Sequence, residues 1–215
     1  MSLDWHIRKK TVKEIKNLLP SINKLPVVRG GRDFIVEDIN NNVSILDVGA
    51  NDRNLHDFLV RTCKKDFFYR SMDIDKSLSH DYYSFEEIQE KFDVIVCLEV
   101  IEHLPTEEAL DLLAKEYELL KEGGVLYIST PNVFHPTALW RDSTHRSGYR
   151  YGELAGFLAA IGYRELEIYR VGRMKFLNKV RAVLANPILR LLQIDYYSRI
   201  LIKASKKKGE IYAGK

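Results

Sequence analysis

The sequence predicts an α/β protein built on a doubly wound, mostly parallel sheet with helices on both faces. From Val43 onward, apolar runs alternate with amphipathic segments, which is the pattern of parallel strands joined by crossover helices. The apolar runs are rich in Val, Ile and Leu and end at polar or glycine residues, as buried strands do. A chain of 215 residues with 46% hydrophobic and 29% charged residues suits one domain with modest additions, and this composition excludes disordered and fibrous proteins.

The chain divides into three predicted parts. Residues 1–42 form an amino-terminal helical extension, with helices near Trp5–Leu19 and Phe34–Ile39, which we expect to pack on the domain over its ligand cleft. Residues 43–205 form the main domain, and 206–215 form a basic tail. Within the main domain, residues 172–197 are an amphipathic, basic insert between the last two strands. A helical lid, a membrane-surface helix and a dimer contact are the three interpretations of this insert.

The strands and helices of the main domain follow from local patterns. The best helix is predicted over Thr106–Lys121, with Thr106 as N-cap and Gly123 just past its end. A second amphipathic helix is predicted over Tyr151–Ile161. The predicted strands are Ser44–Val48, Phe68–Asp73, Phe92–Leu98, Val125–Thr130, Glu165–Val171 and Ser198–Ala204.

Charge and cysteine content narrow the function classes. No apolar run reaches the roughly 18 residues that span a bilayer, and the first ten residues have no apolar signal-peptide core. Cys63 and Cys97 lack metal-ligand spacing, so we expect free thiols and a cytoplasmic protein. Residues 164–215 carry 13 basic and 4 acidic side chains, which indicates either an anionic partner or a solubilising basic face.

Two strand ends carry the chemistry of a nucleoside site. Asp47 and Gly49 close the first strand, where a glycine lets the backbone approach a ligand. Asp73 ends the second strand, where a carboxylate grips the hydroxyls of a ribose. The turn has one glycine where a dinucleotide loop has three, and Asp52 would repel a phosphate. A nucleoside without phosphates therefore fits best.

These segments resemble the class I S-adenosylmethionine-dependent methyltransferases, and in particular the families called methyltransferase types 11 and 23. The resemblance rests on ILDVGAN, MDID, FDVIVCLEVIEHL and LKEGGVLYISTPN, and it covers about residues 43–205. It implies a Rossmann-like sheet of six or seven strands with an antiparallel last strand. Because only 18 residues separate Asp73 from Phe92, we expect the family's third strand to be short or missing. The cofactor-binding residues implied by the resemblance are Asp47, Gly49, Ala50, Asn51, Asp73, Ile74, Asp81, Tyr82, Leu98 and Glu99.

Within this resemblance, Asp73 holds the ribose hydroxyls and Ile74 packs on the adenine. Asp81, followed by Tyr82, is the candidate for the adenine amino group. The sequence departs from the family at Asn51, where family members generally carry a second glycine. Asn tolerates left-handed backbone angles better than most residues, so the turn can survive.

A second constellation joins the segment after the fourth strand to the loop after the fifth. Glu99, Glu102, His103 and His145 can converge at one sheet edge. Carboxylates with imidazoles suit Mg²⁺, Mn²⁺ or Fe²⁺, and such an ion would lower the pKa of an attacked hydroxyl. The EVIEH stretch resembles metal-dependent members that modify small-RNA ends or act in the ubiquinone pathway. The alternatives are that His145 acts as a general base or substrate contact, with His103 acting as a base or orienting loops, or that His145 is structural with Asp142 as its partner. The candidate catalytic residues are therefore His145, His103 and Asp142.

The sequence thus predicts a methyltransferase that uses S-adenosylmethionine, with Mg²⁺ or Mn²⁺ as an optional ion. We expect O-methylation of a small-molecule, glycan or lipid-like acceptor. Metal-dependent 2′-O-methylation of RNA ends and a non-catalytic scaffold remain as alternatives. A nucleic acid is the less expected partner, because large basic and aromatic surface is absent outside the last 50 residues. Peripheral membrane contact and a homodimer stay open, and Trp140, Tyr149, Tyr151 and His135 are candidates to stack on the acceptor.

Overall fold

The computed structural model describes residues 5–174, 185, 187–189 and 191–212. Within these residues, seven strands form one sheet in the order β1-β6-β7-β5-β4-β2-β3. The strands are β1 Val27–Val28, β2 Val43–Val48, β3 Phe67–Met72, β4 Phe92–Leu98, β5 Leu120–Pro131, β6 Arg164–Val171 and β7 Arg199–Ser205. The α-helices with both bounds in these residues are α1 Trp5–Leu18, α2 Gly31–Asp38, α3 Asn54–Thr62, α4 Thr106–Leu119 and α5 Tyr151–Ile161, and residues 187–189 are helical as well.

The sheet is parallel except at β7. Strand β2 pairs in parallel with β3 and β4, and β4 pairs in parallel with β5. Strand β7 runs antiparallel to both β5 and β6. The central strands are buried on both faces, with Ile45, Leu46 and Ile95 fully inaccessible, which is why they read as continuous apolar runs. The predicted doubly wound sheet with an antiparallel last strand is confirmed.

The family's third strand is missing from the sheet, as the short spacing between Asp73 and Phe92 predicts. The segment concerned is the one that connects β3 to β4 in the chain. Residues 73–91 contain a 3-10 turn at Phe85–Glu87 and one parallel bridge between Met72 and Tyr82, but no strand. The opposite edge instead gains β1 from the extension, where Val28 pairs with Val171. Sequence analysis did not foresee β1, because two residues are too few for any periodicity to register.

The amino-terminal extension is attached along its length. Helix α1 packs across α5, where a side chain at Gly156 would lie 2.5 Å from Cγ2 of Val12. The guanidinium of Arg170 donates to the carbonyl oxygens of Asn23 and Leu25, and its backbone N–H donates to Pro26. These contacts seat the extension against β6 and α5, beside the carboxyl edge of the sheet.

Several element bounds differ from the sequence predictions. Helix α4 begins at Thr106 after Pro105, so Thr106 is not the N-cap, and it ends at Leu119. Strand β5 starts at once, which places Gly123, with φ of 81°, in the strand instead of at the helix end. The chain leaves the helix early because Leu120 is fully buried in register with Phe92.

Two further predictions concern the acceptor side. Tyr149 is 3% exposed, and the Tyr151 hydroxyl donates to the carbonyl of Pro20, so both pack inside the protein while Trp140 remains 80% exposed. Of the predicted lid over 172–197, residues 175–184, 186 and 190 lie outside the described residues. Among the helices that are described, none is both long and apolar enough to cross a membrane.

Candidate active site

A cavity of about 280 Å³ opens at the carboxyl ends of β2, β4 and β5. Ligands of open parallel sheets bind at this edge, because strand ends and helix starts meet there. Six of the predicted cofactor-binding residues line it: Asp47, Gly49, Ala50, Asn51, Leu98 and Glu99. The remaining lining residues are Gly31, Arg32, Asp52, Asn54, Leu55, Ser129, Val171 and Arg199.

The turn after β2 is shaped by left-handed backbone. Gly49 has φ of 71°, and a Cβ there would lie 2.4 Å from Cγ2 of Val100. Asn51 has φ of 44° and Arg53 has φ of 59°, so the expectation that Asn51 tolerates this conformation is confirmed. Non-glycine residues in this region cost energy and cluster at ligand sites. These positive φ angles therefore shape a turn whose backbone a ligand can approach closely.

Asp73 connects the second strand to this turn. One carboxylate oxygen accepts the N–H of Asn51 at 2.8 Å, and the other accepts the N–H of Asp75 at 3.0 Å. A carboxylate has about four acceptor positions, so two stay available for hydroxyl groups of a ligand. Ile74 follows with 80% of its side chain exposed. Neither residue lines the cavity; half-buried Asp73 and exposed Ile74 lie beside it.

Asp81 and Tyr82 hold the loop that replaces the missing strand. One oxygen of Asp81 accepts from the N–H and the hydroxyl of Ser71 at 2.8 and 2.9 Å, and the other faces Arg70 at 3.3 Å. Burial raises the pKa of Asp81, but these hydrogen bonds and the nearby arginines outweigh it and lower the pKa overall. The Tyr82 hydroxyl donates to Glu90. Both side chains already have protein partners where the resemblance assigns them to adenine.

Asp47 forms the acidic floor of the cavity. Its carboxylate accepts the Tyr69 hydroxyl at 2.6 Å, and it is 5% exposed. Burial raises the pKa of Asp47 to about 7, against the lowering effects of the Tyr69 hydrogen bond, Arg32 and Arg53. A positively charged ligand group would favour its ionised form.

Glu99 borders the same cavity from the end of β4. Its backbone has φ of 58°, and its side chain accepts the Ser129 hydroxyl at 2.6 Å. Burial raises the pKa of Glu99, while Ser129, Arg199 and the two histidines described next lower it in part. Glu99 thus connects the cavity electrostatically to the loop after β5.

His103 and His145 face each other with ring centroids 4.8 Å apart. Nδ1 of His145 lies 2.6 Å from the carbonyl oxygen of Leu139, so this nitrogen carries the proton and Nε2 is an acceptor. Nδ1 of His103 donates to the Thr144 hydroxyl at 2.9 Å, because that hydroxyl itself donates to Asp142 at 2.6 Å. Nδ1 is thus the donor in both imidazoles, so that Nε2 is the acceptor in their neutral forms, and Asp142 orients His103 through Thr144.

Glu102 completes a cluster with the two histidines. One ligand atom from each of Glu102, His103 and His145 lies within 4.8 Å of the others, whereas Glu99 is outside this triad. Glu102 is fully buried, and its carboxylate has no well-formed hydrogen bond among the described residues, although the Thr130 hydroxyl lies beside it. Burial, with the charges of Glu99 and Asp142, raises the pKa of Glu102 to about 8. Its backbone carbonyl accepts the N–H groups of Arg146 and Ser147, which fixes the loop after β5.

Two arginines of the cavity were missed by sequence analysis. Arg32 lies in the first turn of α2, and Arg199 opens β7. They are 167 positions apart in the chain and meet only because β6, β7 and the extension share one sheet edge. The one available signal was the basic character of residues 164–215, which includes Arg199 without singling it out and does not concern Arg32.

A sheet of this order, with a glycine turn and an acidic residue at adjacent strand ends, defines a Rossmann-like class I methyltransferase fold. The methyltransferase-domain family matches residues 6–168, which is most of the chain. The protein belongs to this family, and its class is that of the S-adenosylmethionine-dependent methyltransferases.

Known proteins agree with this assignment at the level of the fold. A methyltransferase from Archaeoglobus fulgidus, described as S-adenosylmethionine-dependent, superposes with a TM-score of 0.62 at 15% identity, covering 93% of this chain and 94% of that one. The ubiquinone biosynthesis O-methyltransferase of Glaesserella parasuis is 51% identical over 43 residues, 20% of this chain and 17% of the relative. Its counterpart from Pasteurella multocida is 38% identical over 66 residues, 30% of this chain and 26% of the relative. The matched segments thus span about a quarter or less of these curated relatives.

Proposed function

We propose that the protein transfers the methyl group of S-adenosylmethionine to a hydroxyl group of a small-molecule, glycan or lipid-like acceptor. The observation that carries this proposal is the hydrogen bond from Asn51 to Asp73, which joins the glycine turn to the ribose-type carboxylate. The similarity to relatives named as O-methyltransferases supports oxygen as the accepting atom.

The residues of the cavity fit the cofactor by charge. Asp47, Asp52 and Glu99 offer carboxylates for its sulfonium and ammonium groups, while Arg32 and Arg199 offer guanidinium groups for its carboxylate. Asp73 keeps free acceptor positions for two ribose hydroxyls. Exposed Ile74 offers an apolar surface for the adenine.

The acceptor hydroxyl needs orientation and a place for its proton. The cofactor supplies a methyl group that is already activated by its sulfonium. We assign proton acceptance to Nε2 of His145, whose other ring nitrogen is fixed on Leu139: the O–H bond breaks as the O–C bond forms and the S–C bond is lost. His103 and Asp142 hold the adjacent loop through Thr144. A positioned base of this kind contributes about 10²–10⁴-fold.

Calorimetric titration tests the cofactor part of this proposal. Asp73→Ala should weaken binding of S-adenosylhomocysteine at least tenfold, since about 1.4 kcal/mol is the expected loss for such a hydrogen-bonded group. The matched control is Asp66→Ala, because exposed Asp66 directly precedes β3 at its opposite end and should bind as the wild type does. A wild-type protein that binds neither S-adenosylmethionine nor its product would favour the scaffold interpretation.

A second candidate function adds a divalent cation, as in metal-dependent 2′-O-methylation of RNA ends. The triad of Glu102, His103 and His145 favours it, because one atom from each imidazole and one from the buried carboxylate lie within 4.8 Å of one another. In this case the histidines would hold the ion, and His145 would not accept the proton.

Titration with Mn²⁺, followed by electron paramagnetic resonance, separates the two candidates. If the triad holds an ion, the wild type binds Mn²⁺, Glu102→Gln loses it, and chelator abolishes methyl transfer but not cofactor binding. If His145 is the base, chelator leaves methyl transfer intact and Mn²⁺ binding is weak and unaffected by the substitution.

A further inference from the structure

A second cavity, of about 470 Å³, lies beside the first at the carboxyl ends of β1 and β6. Its lining residues are Val27, Arg29, Gly172, Arg173, Met174 and Tyr197. We call it the arginine cavity, after Arg29 and Arg173. Arg29 follows β1 directly and Arg173 lies two residues past β6. Since β1 and β6 are paired neighbours, and paired strands lie about 4.8 Å apart, the two arginines emerge at one point of the sheet edge.

Within the described residues, no acidic side chain forms an ion pair with Arg29 or Arg173. Both are exposed, and neither has an ion-pair or hydrogen-bond partner among the described residues. No carboxylate belongs to the described residues that line the cavity. Because no described counterion balances these two positive charges at one cavity, an anion would be stabilised there.

Arg170 shows the contrast between a structural arginine and these two. Its guanidinium contacts Asp195 at 3.2 Å and the carbonyl of Leu25 at 2.8 Å, and it lies 5.0 Å from the ring centroid of Tyr197. Arg170 therefore fixes Tyr197 as one wall of the arginine cavity. Gly172 leaves room for this wall, because a Cβ there would lie 3.3 Å from Cδ1 of Tyr197.

The arginine cavity adjoins the cofactor cavity, because two consecutive residues line one cavity each. Val171 lines the cofactor cavity and Gly172 lines the arginine cavity. Val171 also pairs with both Val28 and Arg199 in the sheet. A molecule anchored beside Gly172 can therefore extend past Val171 and Arg199 toward the cofactor cavity.

We propose that the arginine cavity binds an oxyanion, a phosphate or carboxylate group, of the methyl acceptor. This proposal rests on the proposed function and narrows its acceptor to an anionic one. Guanidinium groups suit oxyanions because their N–H donors form paired hydrogen bonds with two oxygens. The acidic residues of the cofactor cavity would thus favour the cationic cofactor, and the arginine cavity would favour the anionic acceptor.

Ligand-observed nuclear magnetic resonance in the presence of S-adenosylhomocysteine tests the proposal. The probes are phenyl phosphate, benzoate and the neutral phenyl β-glucoside. Wild type should bind the two anions at least tenfold more tightly than the glucoside, and the double variant Arg29→Ala/Arg173→Ala should lose this preference. The control variant Arg61→Ala removes an exposed arginine in the last turn of α3 and should keep it. The lysine pair Arg29→Lys/Arg173→Lys should fall between, since it keeps charge but not paired donors.

The outcomes separate this proposal from the proposed function. Equal affinity for the glucoside and the anions, or anion binding that survives in the double variant, overturns the arginine cavity even if the cofactor binds. A protein that binds the anions through both arginines but no S-adenosylhomocysteine supports the anion site and rejects the methyltransferase. Vesicles of phosphatidylcholine with added phosphatidic acid identify the source: arginine-dependent vesicle binding indicates a lipid phosphate, and its absence with phenyl phosphate bound indicates a soluble acceptor.

Discussion

The ends of β2 and β3 and the ends of β4 and β5 meet at the same sheet edge, yet they are built in different ways. At β2 and β3, backbone geometry dominates: Gly49, Asn51 and Arg53 have positive φ angles, and Asp73 accepts two backbone N–H groups. At β4 and β5, Glu99 also has a positive φ angle, but oriented side chains dominate: two histidines are fixed through Nδ1, and the Glu102 carboxylate has no well-formed hydrogen bond among the described residues.

This difference indicates a division of labour. A backbone cradle has few degrees of freedom, so it suits a ligand that is always the same and must be held rigidly. Oriented imidazoles and a buried carboxylate offer proton or metal chemistry. We therefore expect substitutions in the first region to change cofactor affinity, and substitutions in the second to change turnover.

The largest effect is expected for Gly49→Ala. The new Cβ would lie 2.4 Å from Cγ2 of Val100, and the backbone φ of 71° is one that residues with a Cβ rarely adopt. Because the turn must change shape to relieve both, binding of S-adenosylhomocysteine should fall by about 100-fold or more. The double variant with Val100→Ala removes the contact but not the backbone strain and should recover part of the affinity. Calorimetry on both variants measures this, and unchanged affinity in Gly49→Ala would place the cofactor elsewhere.

A smaller, selective effect is expected for His145→Gln. Methyl transfer should fall by about 10²–10⁴-fold because the proton acceptor is lost, while affinity for S-adenosylhomocysteine stays within about twofold. His135→Gln, in the same loop after β5, is the matched control and should keep most activity. A parallel loss of cofactor affinity in His145→Gln would contradict the division between the two regions.

The smallest effect concerns the pH dependence of cofactor binding. The pKa of Asp47 is raised to about 7 by burial, and a cationic ligand stabilises the ionised form, so affinity for S-adenosylmethionine should rise from pH 6 to pH 8 with proton release. The same raised pKa means that the free protein loses stability as pH increases from about 4 through 7. Calorimetry in buffers of different ionisation enthalpy detects the proton.

Two variants check the assignment to Asp47. Asp47→Asn should remove the rise in affinity. Tyr69→Phe takes away a hydrogen bond that lowers the pKa of Asp47, so the rise should move to higher pH. Affinity that is independent of pH in the wild type would show that Asp47 does not sense the cofactor.

The features that sequence analysis predicted are those written in contiguous residues. Apolar runs located β2, β4 and β5, and the short Asp73-to-Phe92 spacing indicated the missing strand. Gly49 and Asp73 were found because strand ends in α/β proteins have a known chemistry. What could not be predicted depends on distant segments: Arg32 and Arg199 in the cavity, Thr144 between His103 and Asp142, and Tyr149 in the core all follow from packing.

The pairing of β1 with β6 has a consequence for how the protein is made. Val28 is synthesised early, but its partner Val171 comes 143 residues later, and at about 5–20 residues per second the ribosome needs several seconds or more to supply it. Helices α1 and α5, which pack together, are separated by a similar time of synthesis. Such non-local contacts slow folding because loop closure precedes their stabilising energy. The nascent chain therefore passes a long period with these segments unpaired, and a cavity that needs both Arg32 and Arg199 cannot bind a ligand until Arg199 has been synthesised.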